Sequence, residues 1–344
     1  MRERLRKGVR RLVLSALLAG AASAACCADG GQARAGCLQG SFIQLVDANK
    51  SWSQAQWQQL FAEMRKLGLR HIVLQWSVID DQAFYRSRSF RSTPEPVLEW
   101  IMELAEKSGM QVMLGLSHQS KHWQMVDDKD ARQGYLAQQI ERVARTAGEL
   151  VAGAAKSRAF AGWYLSEEVD DINWVDDAAN EWLRSYLFQA TSLLKTITPG
   201  APIGISTFAN EKTPPKNLER FWKRLLERVP ALDVVYFQDG IGVHKLGLDK
   251  LPEYYEAMAR ATASQKKELR PVIELFEQTS GAPINQEPFA ARPAPLERIF
   301  RQLEVADGAA RASQHVSFSV PEYLSTLGGD AAAAAFEAYI EAMR

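Results

Sequence analysis

The chain has 344 residues, 47% of them hydrophobic and 24% charged, with 41 Lys+Arg balanced by 41 Asp+Glu. Those fractions are ordinary for a globular protein with a sizeable core, and the length accommodates a β/α barrel of about 250 residues plus its loops. The balanced charge supplies no electrostatic footprint for nucleic acid, which is therefore not expected as a partner.

The first segment reads as a targeting signal. Residues 1–11 carry six Arg or Lys, residues 12–20 are apolar, and Ala22-Ser23-Ala24 offers a small-residue cleavage site. This order describes a secretory signal peptide over residues 1–24, with an apolar stretch short for a spanning helix. The mature protein is expected to be exported, periplasmic or secreted, with no membrane span. Ser23-Ala24-Ala25-Cys26 resembles a bacterial lipoprotein box, although Ser23 stands where Leu is usual. Lipidation at Cys26 would make it an outer-membrane lipoprotein and leave Cys27 and Cys37 to pair. Residues 25–39 are rich in Gly and Ala, lack periodicity and read as a flexible tether.

From residue 40 to 344, strand-like and helix-like segments alternate. Strands are predicted over 41–45, 71–76, 111–116, 160–166, 202–206, 233–237, 270–275 and 315–319. The first helix has Ser53 as its cap, Gln56 completing a capping box, and Trp57, Leu60, Phe61, Met64 and Leu67 on one face before Gly68. Thr93-Pro94 is predicted to open the second helix, which Gly109 ends. Further helices follow near 131–155, 182–194, 218–226, 251–261, 295–305 and 331–343. Eight strand-then-helix units predict a single α/β domain, a (β/α)8 TIM barrel. A doubly wound open sheet is the structural alternative, but no Gly-rich fingerprint follows the first strand.

The C-terminal ends of barrel strands form the functional face. Those ends carry Gln44, Gln75 and Trp76, His118, Glu167 and Glu168, Gln238 and Asp239, Glu274 and Glu277, and Glu322 and Tyr323. Amides, acids and aromatics dominate and cations are few, an inventory suited to a neutral, hydroxyl-rich ligand. Phosphorylated substrates would call for Arg, Lys or a Gly-rich loop at this rim. Trp76, Trp123 and Trp174 lie near predicted rim loops, whereas Trp57, Trp100 and Trp182 sit at helical spacing and belong to the core. His118 and His122 have i, i+4 spacing but no clear third ligand, so no metal site and no cofactor are expected.

Three stretches carry a resemblance: Gly162-Trp163-Tyr164-Leu165-Ser166-Glu167-Glu168-Val169-Asp170-Asp171, Tyr236-Phe237-Gln238-Asp239-Gly240-Ile241-Gly242 and Ile273-Glu274-Leu275-Phe276-Glu277. They resemble the glycoside-hydrolase-like barrels of the domain of unknown function 4434 family. The carboxylates ending strands four and seven are similar to the acid/base and nucleophile of retaining clan A glycosidases. The resemblance implies a glycosidase acting on a polysaccharide or oligosaccharide, with Glu168 as acid/base and Glu274 as nucleophile. Gln44, Gln75, Trp76, His118, Trp163, Glu167, Gln238, Asp239 and Tyr323 are the expected substrate contacts, with Trp76 and Trp163 as stacking platforms. One departure stands out: clan A enzymes place Asn before the strand-four acid, where this chain has Glu167. A non-catalytic carbohydrate-binding barrel of a polysaccharide export or matrix system is the first rival reading. A metal hydrolase using Asp170, Asp171 and Asp239 ranks last, for want of a His-containing ligand set.

Overall fold

Short runs of aliphatic and aromatic residues form eight parallel strands that close on themselves. The computed structural model describes residues 36–312 and 314–344. The signal peptide, Cys26, Cys27 and most of the tether lie outside the described residues. Cys37 is disulfide-bonded.

The barrel strands are β1 (Gly40–Ile43), β2 (His71–Leu74), β3 (Gln111–Gly115), β4 (Phe160–Val169), β5 (Ile203–Thr207), β6 (Val234–Gln238), β7 (Glu268–Glu274) and β8 (Val316–Phe318). Each pairs in parallel with its sequence neighbours, and β1 pairs with β8 through Gly40 opposite Val316, which closes the barrel. Closure rules out the open-sheet alternative. The connecting helices are α1 (Gln54–Lys66), α2 (Val97–Ser108), α3 (Arg132–Leu150), α4 (Asp177–Ile197), α5 (Pro215–Arg228), α6 (Leu251–Ser264), α7 (Leu296–Val305) and α8 (Asp330–Ala342). Among the described residues no helix is long and apolar enough to cross a membrane.

Period-two alternation splits the apolar residues into two cores. Phe42, Val73, Met113, Tyr164, Val234, Tyr236, Val272 and Val316 fill the barrel interior. The rings of Phe42, Tyr164 and Tyr236 meet there edge to face, with centroids 5.5–5.8 Å apart. Alternate residues, such as Trp163 and Leu165 on β4, point outward into the larger core beneath the helices.

Local details follow the chemistry of the ends. The Ser53–Gln56 capping box forms on α1, with the Ser53 amide donating to Gln56 Oε1 at 2.9 Å. The Thr93 cap does not form. Its hydroxyl donates to the Glu95 carbonyl, and α2 begins only at Val97. Strands β1 and β2 end earlier than expected, at Ile43 and Leu74, so Gln44 and Gln75 emerge into loops at the mouth.

Strand β4 is the irregular one. Its ten residues face shorter neighbours, and two register shifts absorb the excess. The first lies beside Gly162, whose φ of +146° and 2.4 Å approach of a notional Cβ to the Pro202 carbonyl leave room only for glycine. In the second, Leu165 pairs with Ile205 but Glu168 pairs with Ser206, so Ser166 and Glu167 bulge from the wall.

Candidate active site

The bulge decides which acid of the Glu167–Glu168 pair enters the barrel. Ser206 faces the interior, where its hydroxyl accepts from the Tyr164 phenol at 2.6 Å. Glu168, level with Ser206, lines the cavity at the mouth. Gln238, the last residue of β6, donates its side-chain amide to Glu168 Oε1 at 2.6 Å. Burial pushes the Glu168 carboxyl up, while this hydrogen bond and the Lys245 ammonium pull it down.

Glu274 ends β7 and is buried. The Val243 amide donates to its Oε2 at 3.0 Å, from the loop that follows β6. That loop comes so close that a Cβ on Gly242 would lie 2.3 Å from the Phe276 carbonyl oxygen and 2.9 Å from Glu274 Oε2. Behind Glu274 stands Asp239, which accepts from the amides of Ile241 at 3.2 Å and Glu274 at 3.3 Å and from the Gln302 side chain. Burial raises both carboxyls, and the Asp239 charge pushes Glu274 further up. Asp239 keeps three donors, so the Glu274 side of this pair is the one that favours the proton.

The cavity between Glu168 and Glu274 has a volume of about 320 Å³. Gln44, Gln75, Gln238 and Tyr323 also line it, so these four expected substrate contacts converge with both acids. Trp123 and Phe208 form one ring group, with centroids 5.5 Å apart. Phe276 organises another, stacked on Tyr323 at 5.1 Å and edge-on to Phe289 at 6.1 Å. Phe289 reaches the cavity on a hairpin, strands Phe276–Ser280 and Ala290–Pro293, which an Arg292–Glu277 ion pair of 2.8 Å holds together. Glu322 is a third acid at this cavity, raised by burial and accepting from the Ser319 hydroxyl.

Five expected contacts lie elsewhere. Trp163 is on the outward parity of β4, fully buried, with its indole N–H donating to Thr198 Oγ1 at 2.6 Å. Glu167 sits in the bulge and points outward under α4, accepting from the Tyr186 phenol at 2.6 Å. Burial raises its carboxyl to about 7. Trp76 donates to the Leu45 carbonyl at 2.9 Å and stacks on His118 at 5.0 Å, so both rings pack in the wall rather than facing the cavity. Burial lowers His118 to about 4. Asp239 stands behind Glu274, as described. Of the rim tryptophans only Trp123 lines the cavity, because Trp174 is buried beneath the Arg132 guanidinium at 5.4 Å.

Lys245 is the functional group the sequence reading missed. It comes from the loop after β6, its Nζ lies 3.5 Å above the Phe208 ring centroid, and it lines the cavity. It is a single cation at a rim expected to carry few. Only its place a few residues after a barrel strand hinted at this. Asp170 and Asp171 are spent on loop structure. Asp171 accepts from the amides of Asn210, Lys212 and Thr213 at 2.8–3.2 Å, and Asp170 from those of Ile172 and Asn173. Among the described residues no cluster of three or more His, Cys, Asp or Glu has metal-ligand geometry.

Residues 38–326 match the family described as Domain of unknown function (DUF4434). A relative in Escherichia coli K12, described as uncharacterized protein YbcH, is 28% identical over 267 residues, 76% of this chain and 83% of that one. Among solved structures, a proposed alpha-L-fucosidase from Bacteroides thetaiotaomicron superposes with a TM-score of 0.74 at 18% identity, covering 91% of this chain and 95% of that one. A thermostable mutant of the xylanase Xyn10A from Cellvibrio japonicus gives a TM-score of 0.52 at 12% identity, covering 89% and 97%. At these identities the likeness to the solved structures is one of fold, the TIM barrel of glycosidases.

Proposed function

The chain belongs to the DUF4434 family, and we propose that it is an exported glycoside hydrolase acting on a polysaccharide or oligosaccharide with retention at the anomeric carbon. The observation that carries this reading is the convergence of Glu168 and Glu274, from the ends of β4 and β7, on one cavity walled by amides and aromatic rings. Such a cavity offers a sugar hydrogen-bond partners at its edge and flat apolar faces for its ring.

In this mechanism Glu168, whose burial favours the protonated form, gives its proton to the glycosidic oxygen. Glu274 attacks the anomeric carbon and forms the glycosyl ester while the leaving sugar departs as an alcohol. Glu168, now ionised, takes a proton from water, whose oxygen displaces Glu274 and restores the enzyme. Gln238 holds one oxygen of Glu168 and leaves the other for the proton. The amide of Val243 and the ammonium of Lys245 favour the ionised Glu274 that attack requires. Export rests on the N-terminal basic, apolar and small-residue order.

A second reading, a barrel that binds carbohydrate without cleaving it, is favoured by one observation. Asp239 behind Glu274 opposes the ionisation of the nucleophile. Hydrolysis of a broad glycan panel by the mature protein, beside Glu168→Gln and Glu274→Gln, separates the two. Catalysis predicts a fall in kcat of about 10²–10⁴ for Glu168→Gln, with turnover also lost in Glu274→Gln and binding retained. Glycan binding without turnover, unchanged by either substitution, establishes the binding barrel.

A further inference from the structure

Among the charged groups around the cavity, Lys245 differs from the rest. Four carboxylates act on its ammonium, those of Glu168, Glu274, Asp170 and Asp171. Each of them has donors of its own. Glu168 has the Gln238 amide, Glu274 that of Val243, Asp170 those of Ile172 and Asn173, and Asp171 those of Asn210, Lys212 and Thr213. Lys245 has no such partner. Among the described residues its Nζ makes neither a hydrogen bond nor an ion pair, and it lies 3.5 Å above the Phe208 ring.

A ring face satisfies part of an ammonium's charge but none of its three N–H donors. The lysine is also committed in position. Its backbone amide donates to the Gly240 carbonyl at 2.8 Å, within the turn whose Val243 amide reaches Glu274. The ammonium is thus held where donors are open, beside the rings of Phe208 and Trp123, which meet edge to face in the same cavity. A charged group with open donors inside a cavity is suited to fix the orientation of a ligand.

We infer that Lys245 is a specificity-determining residue that receives an anionic substituent, carboxylate or sulfate ester, of a sugar bound in this cavity beside Trp123. This deepens the glycan reading and rests on it. A compact ammonium accepts either anion, because it acts as a point charge rather than as a planar fork.

The test uses the whole mature chain carrying Glu168→Gln, so that turnover does not interfere with calorimetric binding. The probes are oligosaccharides of glucuronate, galacturonate and mannuronate, the same oligosaccharides with carboxyls reduced to alcohols, and sulfated counterparts of the reduced set. With Lys245 present, at least one anionic form binds about tenfold or more tightly than its neutral partner, a preference that weakens with salt. In Lys245→Met the anionic and neutral partners bind alike, whereas Lys245→Arg keeps the preference. Preference confined to the carboxylate set or to the sulfated set identifies the substituent. Equal loss of acidic and neutral binding in Lys245→Met, or no anionic preference in any set, overturns the inference and leaves Lys245 as a counter-charge for Glu168 and Glu274. The catalytic reading fails separately, when turnover of the parent protein survives both carboxylate substitutions, and that result does not touch the calorimetric comparison.

Discussion

Gln238 donates to Glu168 at 2.6 Å and thereby links the ends of β6 and β4 across the intervening β5. The bond favours the ionised acid and opposes the effect of burial. Gln238→Leu removes it without adding charge. The limb of the kcat/KM profile that reports Glu168 is expected to move to higher pH. An unmoved limb would assign that limb to another group.

Asp239 acts on Glu274 with the opposite sign. Its charge raises the neighbouring carboxyl, so Asp239→Asn is expected to move the limb that reports Glu274 to lower pH. The asparagine oxygen can still accept from Gln302, which limits collateral disruption. A pH profile of kcat/KM beside a thermal melt separates this shift from general destabilisation.

Gly242 is required by the approach of the β6 loop to β7. A methyl group would lie 2.3 Å from the Phe276 carbonyl oxygen, closer than contact permits, so the loop carrying Val243 must withdraw from Glu274. Gly242→Ala is expected to lower kcat by about 100-fold, the scale of a 1 Å misplacement at a reacting centre. Circular dichroism should remain that of the parent.

Gly162 answers to the fold rather than to the site. At φ +146°, with the Pro202 carbonyl 2.4 Å from a notional Cβ, Gly162→Ala strains the start of β4. The expected loss is about 1–3 kcal/mol of stability, read from urea denaturation midpoints.

Glu167 couples folding to pH. Its carboxyl rises from 4.5 to about 7 on folding because burial disfavours the charge. The folded chain therefore holds this proton more tightly than the unfolded chain. Its contribution to stability is full below pH 4.5, is lost as pH rises toward 7, and stays lost above. That shift corresponds to about 3 kcal/mol. Glu167→Gln removes the penalty, so the variant should gain on the parent between pH 5 and 8 in denaturant titrations and match it near pH 4.

The sequence by itself determined the barrel and most of its mouth. Apolar alternation and helix periodicity are local properties, written within ten or fifteen residues, and eight repeats of one unit leave few ways to bury them. Once the barrel was inferred, Gln44, Gln75, Glu168, Gln238, Glu274 and Tyr323 followed from standing at strand ends. Position along a strand does not tell which side of the wall a terminal residue takes. The bulge at Ser166 and Glu167 is set by register against β5, and it sends Glu167 to Tyr186 and Glu168 to the cavity. Trp163 and Trp76 went to the wall for the same kind of reason, through partners 35 and 31 residues away. Lys245 and Phe289 enter from loops whose paths depend on contacts with β7 and its hairpin. Only tertiary structure decides such placements, because they arise from packing between segments far apart in the chain.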